Sequence, residues 1–171
     1  VDTILISFGI IDSKGFSVKI LDALQKFGYR NKVIVALGSK SLSTKLIKAN
    51  IKKYTFNVDI VKDVDGLYNL MNKSDMVIGS GGVTLLERMA LGKPSISIPV
   101  SSNQEQQIEL SGLMGATFAV ASDLHDINNG LEFILNNYKG REKMSRTARY
   151  LVDGNGAKRT ASVITDTQIN V

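Results

Sequence analysis

Apolar residues in this chain come in two spacings that take turns. Short segments of strand type occupy residues 3–8, 32–37, 54–60, 76–78, 96–100 and 116–120, some of them unbroken apolar runs and others, such as 54–60, alternating apolar and polar. Strands covered on both faces of a sheet carry unbroken runs. Between them the spacing changes to that of helices. One helix carries Phe16, Val18, Ile20, Leu21, Leu24 and Phe27, with Gly28 as its cap. Further helices are predicted over 41–49, around Leu67, Leu70 and Met71, over 84–91, over 106–113, around Ile127, Leu131, Ile134 and Leu135, and over 139–152. A last helical piece follows the turn at 153–159. In helix 84–91, Leu85 and Met89 share one face with Leu86 and Ala90 beside them, and Gly92 and Pro94 stop it. Strand and helix alternate throughout. That predicts a Rossmann-like three-layer α/β fold, an open, mostly parallel sheet of six strands with helices on both faces. Polar residues at the helix starts supply candidate N-caps: Asp12 or Ser13, Asp63 or Asp65, Ser101 or Ser102, and Ser122 or Asp123.

The chemistry concentrates in residues 74–107, a strand, a glycine turn, a helix and a second strand. Gly81 and Gly82 stand where the helix begins, with free backbone N–H groups and a dipole that favours an anion. Without Cβ atoms there, a phosphate can approach the main chain. Glu87 follows about one and a half turns later, and helical side chains lean back toward the N-terminus. Its carboxylate would repel phosphate but suits the two hydroxyls of a ribose. The plainer alternative is a tight turn with a surface glutamate. Asn103, Gln104, Gln106 and Gln107 cluster after the next strand, where ligands of open α/β sheets are met. Amide groups that donate and accept suit sugar hydroxyls; the alternative is a polar helix start.

Ser80-Gly81-x-x-Thr84-x-x-Glu87, with Gly92-x-Pro94, Pro99 and Gln106-Gln107, resembles the C-terminal domain of GT-B glycosyltransferases of family 28. Two groups are similar: the transferases that add N-acetylglucosamine to the lipid-linked peptidoglycan precursor, and the UDP-sugar hydrolases of the pseudaminic acid pathway. Gly81-Gly82-Val83-Thr84, Asn103-Gln104 and Asp153-Gly154-x-Gly156-Ala157-x-Arg159 look nearer the hydrolases.

The resemblance implies a UDP-sugar ligand in bacterial surface-polysaccharide or amino-sugar biosynthesis. The diphosphate would lie on the N–H groups of Gly81, Gly82, Val83 and Thr84, after Ser80, with the Thr84 hydroxyl as a further donor. Glu87 would take the ribose, and Asn103, Gln104, Gln106 and Gln107 the sugar or distal phosphate. Backbone groups of Ile60 and Val61 would pair with uracil, and the loop after Gly9 would lie against the phosphates or sugar. The catalytic base would sit on an N-terminal domain, so this chain alone would bind without turnover, using no metal or cofactor. Its tail would pack back on the sheet or cross to that partner domain. One departure stands out: Ile10 replaces the usual second glycine of the first loop. It keeps open a second reading, a non-catalytic regulatory or interaction domain that has lost its ligand.

Composition narrows the classes further. At 171 residues, 43% hydrophobic and 22% charged, the chain fits one domain with a sizeable core. It lacks an initiator methionine and enters a strand at once, the expected form of a C-terminal fragment of a two-domain protein. The net charge of +5 fits phosphate-bearing ligands or peripheral contact with an anionic membrane. Scattered lysines and few interleaved aromatics argue against nucleic acid. The absence of cysteine, and of an apolar run of the ~20 residues needed to cross a bilayer, suits a cytoplasmic location. Gly38-Ser39-Lys40-Ser41 lacks Walker A spacing, and the turn at 79–84 lacks Gly-x-Gly-x-x-Gly, which disfavours NAD. No acidic pair follows the first strand, as a phospho-receiver would need. His125, the sole histidine, reads as a solvated helix-start residue and completes neither a triad nor a zinc set.

Overall fold

A computed structural model describes residues 1–121 and 124–168. Six parallel strands form one sheet: β1 (Thr3–Ser7), β2 (Lys32–Leu37), β3 (Asn57–Lys62), β4 (Met76–Gly79), β5 (Ser95–Ser97) and β6 (Phe118–Ala119), in the order β3-β2-β1-β4-β5-β6. The helices are α1 (Phe16–Phe27), α2 (Leu42–Asn50), α3 (Tyr68–Asn72), α4 (Val83–Ala90), α5 (Glu105–Leu113), α6 (Leu124–Asn136), α7 (Tyr138–Leu151) and α8 (Gly156–Gln168).

The apolar runs do what unbroken runs predict. Ile4, Leu5 and Ile6 of the central strand are fully buried because both faces are covered. Ile4 and Ile6, with Val33, Val35, Met76 and Ile78, pack against Phe16, Ile20 and Leu24 of α1 and Ile127, Leu131 and Ile134 of α6. Leu5, Ile34, Ala36 and Val77 face the other way, toward Met71 of α3. A third cluster joins Leu85 and Met89 of α4 to Ile108 of α5 and Ala148 of α7. This is the three-layer α/β fold the alternation predicts.

The strand order reverses between β1 and β4, so the loops leaving them diverge. A crevice at the carboxyl ends of these strands is where open α/β sheets bind ligands.

The local departures have physical reasons. β3 starts at Asn57 rather than at residue 54. Tyr54 and Phe56 stack 5.4 Å apart in the core, and the Tyr54 hydroxyl donates to Asp22 at 2.9 Å, so their apolar character serves packing ahead of the strand. β3 also runs on to Lys62, which places Val61 and Lys62 in the strand instead of the turn. β5 and β6 are shorter than their apolar runs, although the Ile98 and Val120 N–H groups still donate to the Gly79 and Ser97 carbonyls. Neither Asp63 nor Asp65 caps α3, which starts after Leu67; Asp63 accepts instead from the Ser39 N–H at 2.9 Å. Neither Ser101 nor Ser102 caps a helix through its side chain. The candidate caps Ser122 and Asp123, and tail residues 169–171, lie outside the described residues. Residues 156–165 of α8 are all exposed, so this part of the tail does not pack on the sheet. No helix among the described residues is long and apolar enough to cross a membrane.

Candidate functional site

The glycine turn is built by its neighbours. The Ser80 N–H donates to the Ser7 carbonyl at 3.3 Å, which continues the β1–β4 pairing one step past the strand. The chain then reverses at Gly82, with φ 79° and ψ −155°, a conformation essentially confined to glycine. α4 starts at the next residue. Gly81 has a different reason to be glycine: a Cβ there would stand 2.9 Å from the Gln104 Cβ and 3.2 Å from Ile108 Cδ1.

Both glycine N–H groups have acceptors. Gly81 donates to Gln104 Oε1 at 3.2 Å, and Gly82 donates to Gln107 Oε1 at 2.7 Å. Gln104 Oε1 also accepts from the Val100 N–H at 3.1 Å. Two amide oxygens thus stand where a helix N-terminus would hold the oxygens of an anion.

Beside the turn lies a cleft of about 460 Å³. Its floor is the strand ends at Ser7, Ala36 and Leu37; one wall is 80–84 with Glu87 and Gln104; the other is Asp63, Val64, Gly66 and Leu67; Gly9 and Ile10 form the rim. One side offers N–H groups, hydroxyls and the Glu87 carboxylate, the other the apolar surface of Val64 and Leu67 with Asp63 beside it. That pairing suits a ligand with an anionic part and a flat organic part. A second groove of about 500 Å³ between α5 and β6 holds Ile108, Leu113, Phe118 and Val120 and none of the predicted site residues.

Gly9, Ser80, Gly81, Gly82, Val83, Thr84, Glu87 and Gln104 all line the first cleft, and Gln107 reaches it through Gly82. Asn103 and Gln106 are exposed outside its lining, Asn103 accepting from the Ser101 hydroxyl at 2.5 Å. Ile60 and Val61 lie within β3, in register with Val35 and Ala36, and do not line the cleft; Val64 and Leu67, further along, do. Ile10 is 73% exposed and its carbonyl accepts the Gly38 N–H at 2.8 Å, so the loop is pinned while the side chain stands on the rim. His125 is exposed, and no group of metal-binding residues occurs among the described residues.

Two residues carry more than the sequence reading gave them. Asp12 is buried, with φ 46°. Its carboxylate accepts the Phe16 and Ser17 N–H groups at 2.9 and 3.0 Å and the Ser43 hydroxyl at 2.8 Å. It fixes the start of α1 and ties the rim loop to α2. Arg88 is 1% exposed beneath the glycine turn. Its Nη2 donates to the Ser80 carbonyl at 2.7 Å and to Ser97 Oγ at 2.8 Å. Burial pulls its pKa down to about 9, with the Glu87 carboxylate acting the other way. The sequence signal existed: Arg88 sits three residues after Leu85 and beside Met89, inside the apolar stripe of α4.

Residues 4–162 match the model of the glycosyltransferase family 28 C-terminal domain. The chain is 24% identical over 177 residues to the spore coat polysaccharide biosynthesis protein SpsG of Bacillus subtilis, covering 95% of this chain and 50% of that one. Among solved structures, MurG of Acinetobacter baumannii superposes with a TM-score of 0.78 at 16% identity, over 96% of this chain and 50% of its own. The UDP-GlcNAc 2-epimerase of Neisseria meningitidis, solved with UDP-GlcNAc bound, superposes with a TM-score of 0.72 at 20% identity, over 99% of this chain and 44% of its own. At these identities the superpositions show a shared fold. The chain spans about half the length of these relatives.

Proposed function

The chain belongs to the glycosyltransferase family 28 C-terminal domain family, and on that premise we propose that it is the UDP-sugar-binding half of a glycosyltransferase-like enzyme or nucleotide-sugar hydrolase of surface-polysaccharide or amino-sugar biosynthesis. The observation that carries this reading is the glycine turn at the β1/β4 switch point, its N–H groups met by amide oxygens and Glu87 on the same cleft wall.

In this reading the diphosphate replaces the Gln104 and Gln107 oxygens on Gly81 and Gly82 and extends to the Val83 and Thr84 N–H groups. Uracil lies toward Val64 and Leu67, within reach of the β3 end that carries Ile60 and Val61. Glu87 takes the ribose hydroxyls. Gln104 and Gln107, once displaced, are free to meet the sugar, together with Asn103 and Gln106. The turn stabilises charge that develops on the diphosphate as it leaves, which is an electrostatic contribution to either transfer or hydrolysis. A partner half would supply the base and the acceptor or water. The exposed Ile10, Ile11 and α8 fit burial against such a half. A domain that has lost its ligand is the second reading; Ile10 on the rim, with the floor of the cleft open, weighs against it.

The test is calorimetric titration with UDP and 2′-deoxy-UDP. Glu87→Ala is expected to weaken UDP about tenfold, about 1.4 kcal/mol, within the range of a charge-assisted hydrogen bond. The variant should lose the preference for UDP over 2′-deoxy-UDP. An unchanged preference would remove Glu87 from the ribose; equal binding of UDP by both proteins would remove it from the site.

A further inference from the structure

The guanidinium of Arg88 has no carboxylate partner. The ion pairs among the described residues lie elsewhere: Lys32–Asp59, Lys53–Asp22, Arg146–Glu142 and Arg159–Asp153. Arg88 Nε and Nη1 are buried without a hydrogen-bond partner. The hydroxyls next to it form a chain, Ser97 Oγ to Thr117 Oγ1 at 2.6 Å and Thr117 Oγ1 to Ser95 Oγ at 2.9 Å. Hydroxyl dipoles solvate a cation without neutralising it. A buried, unpaired cation with unfilled donors disfavours folding, so the stability of the domain gives no reason for an arginine here.

The turn above it does. A trans peptide is planar, and its C=O and N–H point in opposite directions. Arg88 Nη2 holds the Ser80 carbonyl from beneath at 2.7 Å. The N–H of the same peptide, that of Gly81, therefore faces the opposite way, where it meets Gln104 Oε1 at 3.2 Å.

We propose that Arg88 presets the turn for an anion: it fixes the Ser80–Gly81 peptide with its N–H outward and places a positive charge with no carboxylate hydrogen-bonded to it behind the N-terminus of α4. The charge adds to the helix dipole at the point where the diphosphate of the proposed function would bind, and the inference rests on that reading for the identity of the anion. Arg88 touches no ligand; it is a positioning residue, and bound diphosphate adds negative charge above it.

The test is an amide-resolved NMR titration with inorganic pyrophosphate and, separately, with uridine, on the unmodified chain and on Arg88→Met, Arg88→Gln and Arg88→Lys. Pyrophosphate should shift the Gly81 and Gly82 amides of the unmodified chain. Arg88→Met and Arg88→Gln should weaken pyrophosphate about tenfold, equivalent to about 1.4 kcal/mol, and leave uridine binding unchanged. Arg88→Lys, which keeps the charge, should recover most of the loss. If Arg88→Met does not fold, the contrast between Gln and Lys decides. Three results would each overturn the proposal: neutral variants that bind pyrophosphate as tightly as the unmodified chain, a loss for uridine as large as that for pyrophosphate, or Gly81 and Gly82 amides that do not respond to pyrophosphate. UDP that binds no more tightly than pyrophosphate would instead sink the uridine reading of the cleft and leave the role of Arg88 standing.

Discussion

Gly82→Val is expected to abolish detectable UDP binding while the protein remains folded. At φ 79° and ψ −155° any L side chain is strained, by on the order of 1–3 kcal/mol. The chain relieves that strain by rotating the peptides on either side of residue 82, and those peptides carry the N–H groups the diphosphate needs. Losing two charge-assisted hydrogen bonds of about 1.5–3 kcal/mol each weakens binding by on the order of a hundredfold or more. A Cβ at position 82 has open space, the nearest atom being Gln104 Nε2 at 3.9 Å, so no core contact is disturbed. Calorimetry with UDP, beside a circular dichroism melt, checks both halves of the prediction. UDP affinity within threefold of the unmodified chain would mean that the turn does not hold the phosphates.

The largest expected effect on stability is at Asp12. Its carboxylate is the acceptor for two backbone N–H groups at the start of α1 and for the Ser43 hydroxyl, all in a buried setting. Asp12→Ala leaves those donors without a partner and puts alanine at φ 46°, a region aspartate and asparagine tolerate better. The expected cost is about 3 kcal/mol, which for a chain of this length lowers Tm by about 6–12 °C. Asp12→Asn keeps one acceptor oxygen and the tolerance for positive φ, so it should cost about half as much. Thermal unfolding of the two variants tests this; an alanine variant that melts with the unmodified chain would show that solvent serves the α1 start as well as Asp12 does.

The fold was legible because burial on both faces leaves an unmistakable run of apolar residues. β2 was predicted at 32–37 and is found there, and the glycines after α1 and α4 end both helices as expected. Legibility failed where apolar residues serve packing outside a ladder, as Tyr54 and Phe56 do. The short polar segment before α3 offered two aspartates as caps, and a contact between distant parts of the chain, Asp63 to Ser39, claimed one of them. At the site, the glycine turn and Glu87 were readable because each is a local pattern of residue type and spacing. The Gln104 and Gln107 contacts were not, since they depend on how α5 lies against the turn. The burial of Arg88 is not legible in a local pattern, because the hydroxyls of Ser97 in β5 and of Thr117 just before β6, distant in sequence, are what make it feasible.

In a crystal of the chain grown with UDP, diphosphate oxygens are expected at ~2.7–3.2 Å from the amide nitrogens of Gly81 through Thr84, with the Gln104 and Gln107 side chains swung off the turn and Glu87 on the ribose. Nucleotide bound in the groove between α5 and β6, or against the cleft with its phosphates away from the turn and both glutamines still in place, would contradict this placement.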